Sequence, residues 1–337
     1  LKTTGEAVQV APAVARDAST GAAHFACAND GTLAYIPATP LSELRQLFWA
    51  DAAGRMDALK LAPGSYQDVR TSPDGRQAVL LNGTTLNGDV WVFEFESAAF
   101  RRLTFTSSNS APVWSADSRT VYFVSFDPAT TTSTLLKKPV DGSRDAVAMA
   151  ALKGRAYVSW VDPKQTAAIV DVVDPATDRG DIVRITFGAA AAPQVLVQTR
   201  RNDFGSAVSP NGHWLAYQSD ETGRNEVHVL DLGGNGARWQ LTTEGGEEPN
   251  WSADGRQLFY RTSNRLMAVT VEGSAAFRYG RPRPLFDGIY NSGIESGRSY
   301  HVDPKGNRFL LVRPADTGPS PRAVRITLNW PFALGKK

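Results

Sequence analysis

A single cysteine, Cys27, in 337 residues excludes an internal disulfide framework and any thiolate metal cluster. The four histidines, His24, His213, His228 and His301, stand far apart, and no His-Glu-x-x-His zinc pattern or Gly-x-Ser-x-Gly nucleophile elbow is present. No stretch approaches the ~18 consecutive apolar residues of a membrane span. Neither sign of charge dominates, with 36 Lys+Arg against 34 Asp+Glu and a net charge of +2. Basic residues gather no further than pairs such as Arg101-Arg102 and Arg200-Arg201, which excludes the concentrated basic stripe of a dedicated nucleic-acid binder.

What the chain has in quantity is turn and strand chemistry. There are 29 Gly and 20 Pro alongside 8 Trp, 9 Tyr and 15 Phe, a mixture that favours strands joined by tight turns over helices. One motif recurs, a short apolar stretch, then Ser-Pro-Asp-Gly or a relative, then a second apolar run. It stands clearest at Ser72–Gly75, Ser209–Gly212 and Ser252–Gly255, and recognisably at Ala28–Gly31 and Ser115–Ser118. Degenerate copies lie at Asp162–Gln165 and Asp303–Gly306. The seven marks fall 43–51 residues apart and span nearly the whole chain.

Each unit reads as four strands. Proline pre-sets φ for the turn and Asp/Asn-Gly supplies its positive-φ corner, so the motif is a hairpin between a first and a second strand. Second strands follow, such as Gln77–Leu81 and Trp214–Tyr217. Third strands alternate, as in Asp89–Phe93 and Glu226–Leu230, and short fourth strands end in Leu-Thr, as in Arg102–Thr104 and Gln240–Thr242. Four strands in about 45 residues, repeated, is the sequence form of a β-propeller. The expected fold is all-β, a single closed propeller of four-stranded antiparallel blades over residues 1–337. Seven blades are expected, with six the alternative if the unit around Asp162 is an insertion. The last mark is followed by only two more strands, so a strand at Glu6–Val10 within residues 1–12 is expected to pair with the segment around Ala323–Leu328 and close the ring. Residues 13–330 hold the repeats and 331–337 a tail.

The hairpins, the Asp-Val-Trp-Val third strand at 89–92 and the Arg-Leu-Thr ending at 102–104 resemble TolB-like (WD-like) propeller repeats. More narrowly, Asn29–Leu33, Trp251–Arg256, Leu266–Val269 and Leu328-Asn329-Trp330 are similar to propellers fused C-terminally to bacterial serine/threonine protein kinases. That resemblance implies an extracytoplasmic, periplasmic binding or sensor domain, tethered through a membrane span ahead of this chain. The kinase motifs themselves, a Gly-rich phosphate loop, His-Arg-Asp and Asp-Phe-Gly, are not in the sequence.

Chemistry is expected at the mouth of the central channel, where the segments entering the first strands converge. Aligning the units on the hairpin places His24, Asp68, Arg155, Tyr157, Asp203, Glu247, Glu248 and Arg298 at that rim, with Gln67, Asn109, Ser110, Phe204 and Tyr300 beside them. Mixed charge suits a small polar ligand, a cation, or a peptide or protein partner more than a polyanion. Adjacent carboxylates at Glu247-Glu248 repel one another and favour a cation or amine. No metal, cofactor or covalent chemistry is expected. The Asp-Gly turns carry one carboxylate each, fewer than a calcium loop needs, and their adjacent Asp and Gly differ from sialidase Asp boxes. Three readings follow: a non-catalytic binding or sensor module, monomeric as an isolated domain; a lactonase-, lyase- or glycosidase-type propeller enzyme; or a periplasmic protein–protein scaffold. As rim residues, Glu248 and Arg298 are expected to tolerate Glu248→Gln and Arg298→Ala within about 1 kcal/mol of stability. Trp114 and Trp251, just before the hairpin serines, are expected to pack between neighbouring blades, and Cys27 at the same position to be buried.

Overall fold

A computed structural model describes residues 14, 23–28, 30–36, 44–83, 88–188, 192–272, 277–288, 297–306, 308–315 and 324–328. Two compact units emerge, residues 44–313 and the flanking segments 1–43 with 314–337. In the flanking unit β1 (Phe25–Cys27) pairs with β2 (Leu33–Tyr35) across the Gly31 turn. Cys27 is exposed there and does not take the expected core position, because β1 is an edge strand of its small sheet.

Residues 44–313 begin with β3 (Arg45–Asp51) and β4 (Met56–Ala58). The first complete repeat is β5 (Tyr66–Thr71), β6 (Gln77–Gly83), β7 (Gly88–Glu94) and β8 (Phe100–Arg102). The second is β9 (Asn109–Trp114), β10 (Thr120–Asp127), β11 (Thr132–Pro139) and β12 (Val147–Lys153). The third is β13 (Arg155–Val161), β14 (Ala167–Asp174), β15 (Arg179–Thr186) and β16 (Gln194–Val197). The fourth is β17 (Asp203–Val208), β18 (Trp214–Ser219), β19 (Glu226–Asp231) and β20 (Arg238–Gln240). The fifth has β21 (Glu247–Trp251), β22 (Gln257–Thr262) and β23 (Arg265–Glu272), with its outer position shared by β24 (Arg278–Tyr279) and β25 (Arg283–Asp287). The last inner pair, β26 (Tyr300–Val302) and β27 (Arg308–Pro314), continues into β3 and β4. Finally β28 (Arg325–Thr327) pairs with β2.

Among the described residues this makes six sets of strands between 44 and 314, the first two bridged by a Gly88–Asn109 pair into one eight-stranded sheet and the fifth carrying a split outer strand, where the repeat marks suggest seven. The marks count hairpins, and hairpins do not say which outer strands complete which inner pair. The strands downstream of the Gly31 hairpin, β3 and β4, complete the sheet of β26 and β27, and the β1–β2 hairpin is left in the flanking unit. So the last blade takes its outer strands from residues 45–58, while the described partner of β28 is β2; Glu6–Val10 and 331–337 lie outside the described residues.

The turns repeat in detail. In the first repeat Ser72 Oγ donates to Asp74 Oδ1 (2.6 Å) and accepts from Gln77 N (2.9 Å), while Asp74 Oδ1 accepts from Arg76 N (3.0 Å). The same pattern holds at Ser115/Asp117 and Ser252/Asp254, with Asn211 replacing the carboxylate at Ser209. In the degenerate unit Asp162 does the work of the missing serine, its Oδ1 accepting from Thr166 N and Ala167 N (both 2.6 Å). Gln165 takes the corner at φ +55°, as Ser118 does at +60°, where glycine stands in the other hairpins. The Leu-Thr ending also has a cause. Thr104 Oγ1 accepts from Val90 N (2.9 Å) and donates to Asp89, while Leu103 is buried; Thr242, Val227, Glu226 and Leu241 repeat the arrangement.

Apolar clusters lie between consecutive sheets. One joins the first and second repeats through Val79, Val92, Trp114 and Phe123. Another joins the last to the first through Leu47, Leu310, Val69 and Leu80. Trp114 Nε1 donates to Arg70 O (3.1 Å) and Trp251 Nε1 to Ala207 O (3.0 Å), so both tryptophans tie a first strand to that of the preceding repeat.

Candidate functional site: a cross-tied centre of first strands

The first strands β5, β9, β13, β17, β21 and β26 each contact the next, and β26 contacts β5. Five of them carry a β-bulge at the same place. Two residues oppose one at Asp68-Val69, Ala111-Pro112, Gly205-Ser206 and Glu248-Pro249, and β13 has one extra residue at Ser159. Asp68, Ala111, Gly205 and Glu248 stand at positive φ (46°, 48°, 64° and 52°), conformations that cost a non-glycine residue about 1 kcal/mol or more. At Gly205 the space is limited as well, since a Cβ would approach Gln218 Oε1 to 3.0 Å. A bulge re-aims side chains and frees backbone groups from the ladder, and here the Ser159, Ser206 and Pro249 carbonyls are taken up by arginines of other strands.

Arg298, just before β26 and buried, donates through Nη1 to Pro249 O and through Nη2 to Ser206 O, both at 2.7 Å. Its backbone N–H donates to Asp68 Oδ1 (3.2 Å). Arg70 lies 3.7 Å from Asp68 and donates to Ser159 O (2.9 Å). Glu248 Oε2 accepts from Ser299 N and Oγ (both 2.7 Å), and its Oε1 accepts from Arg261 Nε (3.1 Å). Arg261 also pairs with Glu247, which accepts from Asn225 Nδ2 (3.1 Å). The Ser206 hydroxyl donates to Asp171 and lies 2.6 Å from Ser159 Oγ. These contacts join β5, β13, β14, β17, β21, β22 and the approach to β26 in one polar network.

Its electrostatics follow from burial. Loss of solvent pushes the Asp68 and Asp171 carboxyls above the ordinary carboxylate range, against the pull of the arginines and of the Ser206 donors. Burial lowers the Arg70 guanidinium to about 10 even beside Asp68. His301, whose Nδ1 is 2.7 Å from Thr71 Oγ1, is pushed down to about 3 by burial and then by the charges of Arg70 and Arg298. It is a neutral imidazole at neutral pH.

Of the eight rim residues expected, the network holds Asp68, Glu247, Glu248 and Arg298. These stand four or five residues before the first position of their hairpin motif. Asp203 and Arg155 stand six and seven before it and engage locally: Asp203 Oδ2 accepts from Thr199 N (2.8 Å), and Arg155 pairs with Asp178 (3.1 Å). Tyr157 is buried in the apolar cluster between the second and third sheets. His24 is exposed in the flanking unit. Sequence reasoning missed Arg70, Asp171, Ser206 and Arg261. Arg70, His301 and Asn250 share one repeat position, two before the first hairpin residue, and polar residues recurring there are the signal that marks an inward-facing row. Among the described residues no group of three or more His, Cys, Asp and Glu is placed to hold a metal ion.

Among solved structures, a putative TolB from Agrobacterium tumefaciens matches with a TM-score of 0.64 at 14% identity, covering 81% of this chain and 99% of that one. The fold is a TolB-like β-propeller. TolB from Acinetobacter baumannii aligns at TM-score 0.56 and 16% identity over 78% of this chain and 79% of its own. The periplasmic gluconolactonase of Pseudomonas aeruginosa aligns at 0.51 and 18%, over 84% and 99%. No family model matches the sequence, and no curated protein does. At such identities the likeness of this TolB-like propeller to its neighbours is one of fold, and its function has to be argued from its own residues.

Proposed function

We propose that this TolB-like propeller is a non-catalytic binding or sensor module of the bacterial periplasm, taking a small polar ligand, a peptide or a protein at the channel mouth. The observation that carries the reading is the Arg298 guanidinium, spent on Pro249 O and Ser206 O. With Asp68, Asp171 and Glu248 each accepting from protein donors, the central charges act as struts that hold a rim. Glu247, with about a third of its side chain exposed, is the acidic group of the network best placed to meet a cation or amine. The periplasmic setting is supported by the TolB and gluconolactonase neighbours and by the resemblance of the repeats. The kinase-linked subclass further predicts a kinase domain and a membrane span ahead of Leu1 in the full-length protein, which the gene sequence tests.

The lactonase-type reading is the one specific rival, since a propeller of that activity shares the fold. A pH-stat assay with δ-gluconolactone, run beside thermal-shift titrations with polyamines and short peptides, separates the two. The binding reading expects lactone loss at the spontaneous rate, and a ligand-dependent rise in Tm that Glu247→Gln diminishes. Turnover above background that Glu247→Gln or Asp203→Asn abolishes would overturn it.

A further inference from the structure

The outer strands of the sheets differ in length and chemistry. β4, β8 and β20 have three residues each and carry Asp57, Arg101 with Arg102, and Arg238. β16 has four, and the fifth sheet's outer position is broken into β24 and β25, the latter containing Pro284. Short length, charge and proline are the usual ways of blunting an edge that otherwise offers unpaired N–H and C=O groups to another chain. β12 has none of them. It runs seven residues, Val-Ala-Met-Ala-Ala-Leu-Lys, with no charge before Lys153.

β12 is the terminal strand of its sheet and pairs with β11 alone. Leu152 anchors it in the apolar cluster beneath, and Met149 and Ala150 pack partly against that cluster. Val147, Ala148 and Ala151 are exposed, Val147 at 54%. The result is a firmly seated, apolar edge about 23 Å long at ~3.3 Å per residue. Small alanine side chains leave room beside it for a neighbouring strand. The surroundings are cationic. Lys137 lies opposite Val147 in register, Lys138 follows it, Lys153 ends the strand and Arg144 precedes it, against Asp141 and Asp145. One seven-residue edge buries much less than the roughly 1,000 Å² that a stable pair of folded copies needs. A single extended segment, by contrast, needs little more than the backbone ladder and a few side-chain contacts.

We propose that the outer edge of β12 captures an extended, apolar, acid-bearing peptide segment of a partner protein as a fifth strand of this sheet. The backbone ladder supplies affinity, the alanine-lined edge selects side chains of alternating apolar character, and the lysines select acidic flanks. This surface is independent of the channel mouth, so loss of a mouth ligand leaves it untouched.

The test uses the whole chain and a fluorescein-labelled synthetic heptapeptide of alternating valine and threonine followed by two glutamates. Amide hydrogen exchange with and without peptide is read together with anisotropy titrations. We expect at least tenfold slower exchange at alternate amides of 147–153, and affinity at least tenfold weaker in Ala148→Lys and in Ala151→Pro. A peptide with lysines in place of the glutamates should bind at least threefold more weakly. Ala148 is exposed, so Ala148→Lys keeps the wild-type Tm even should Ala151→Pro fail to fold. Unchanged exchange at saturating peptide, protection at other edges, or affinity indifferent to Ala148→Lys each overturns the proposal. So does protection of 147–153 that grows with protein concentration without peptide, which would make a second copy the occupant.

Discussion

The hairpin turns and the strand centre of this propeller are both polar, yet they are built on opposite plans. In the turns the recurring bonds are local: Ser72 reaches Asp74 and Gln77, two and five residues away, and the same atoms do the same in later repeats, with single ties such as Asp74 N to Ser118 Oγ (3.1 Å) added between neighbouring turns. At the centre the partners are remote and do not repeat. Arg298 reaches back to Ser206, Pro249 and Asp68, Arg70 reaches Ser159, and Ser299 reaches Glu248. The serine–aspartate bonds of each turn therefore stabilise chiefly their own hairpin, whereas the centre is one network that loses several strands' partners when one member is removed. The expectation that Glu248 and Arg298 tolerate substitution as rim residues is corrected by this: Arg298 is 6% exposed and its guanidinium satisfies two bulge carbonyls.

The sharpest way to break the contrast is Arg298→Met. It strips Pro249 O and Ser206 O of their donor and leaves Asp68 and Asp171 with one fewer compensating cation, so it should cost about 3–5 kcal/mol in urea unfolding. A loss under 1 kcal/mol would return Arg298 to the status of a surface residue. Glu248→Gln, which weakens the ties to Ser299 and Arg261, should cost about 1–3 kcal/mol in the same assay.

The centre should also respond to pH in a way the turns do not. His301 has its native pKa pushed below that of the unfolded chain. Between about pH 6.5 and 3 the unfolded state then binds the additional proton, and stability falls as pH falls through that window. The slope from this group is at most about 1.4 kcal/mol per pH unit. The raised carboxyls of Asp68 and Asp171 act in the opposite sense, since the native state holds their protons longer. Comparing denaturant midpoints of the parent and His301→Gln isolates the histidine: the variant should decline less steeply below pH 6.5. Parallel curves would mean that the imidazole is accessible to solvent and titrates normally.

The turns should yield smaller, interchangeable effects. Ser252→Ala removes one hydroxyl that bridges Asp254 and Gln257 and should cost about 1 kcal/mol, as should Ser72→Ala. The double variant should be additive within about 0.5 kcal/mol, because the two sites share no partner. Coupling beyond that would contradict the independence of the turns. Smallest of all, Ser263→Gly relaxes an exposed corner at φ +51° and should change stability by no more than about 1 kcal/mol, in the stabilising direction.

The repeat was legible because it is made of local rules. Ser-x-Asp-Gly closes a hairpin, Leu-Thr seats a fourth strand and caps the third, and alternation sets which face is buried; each is satisfied within one unit whatever the rest of the chain does. These determined an all-β propeller of four-stranded units. The assignment of outer strands was decided only in three dimensions: β3 and β4 follow the first hairpin in sequence yet complete the last sheet. The same holds for the centre. Asp68, Glu247, Glu248 and Arg298 follow from repeat position, but Arg70, Asp171, Ser206 and Arg261 become a network only when the bulged first strands meet. Local hydrogen bonds are fixed by neighbours in sequence, whereas a network among buried charges is fixed by which strands face one another across the centre.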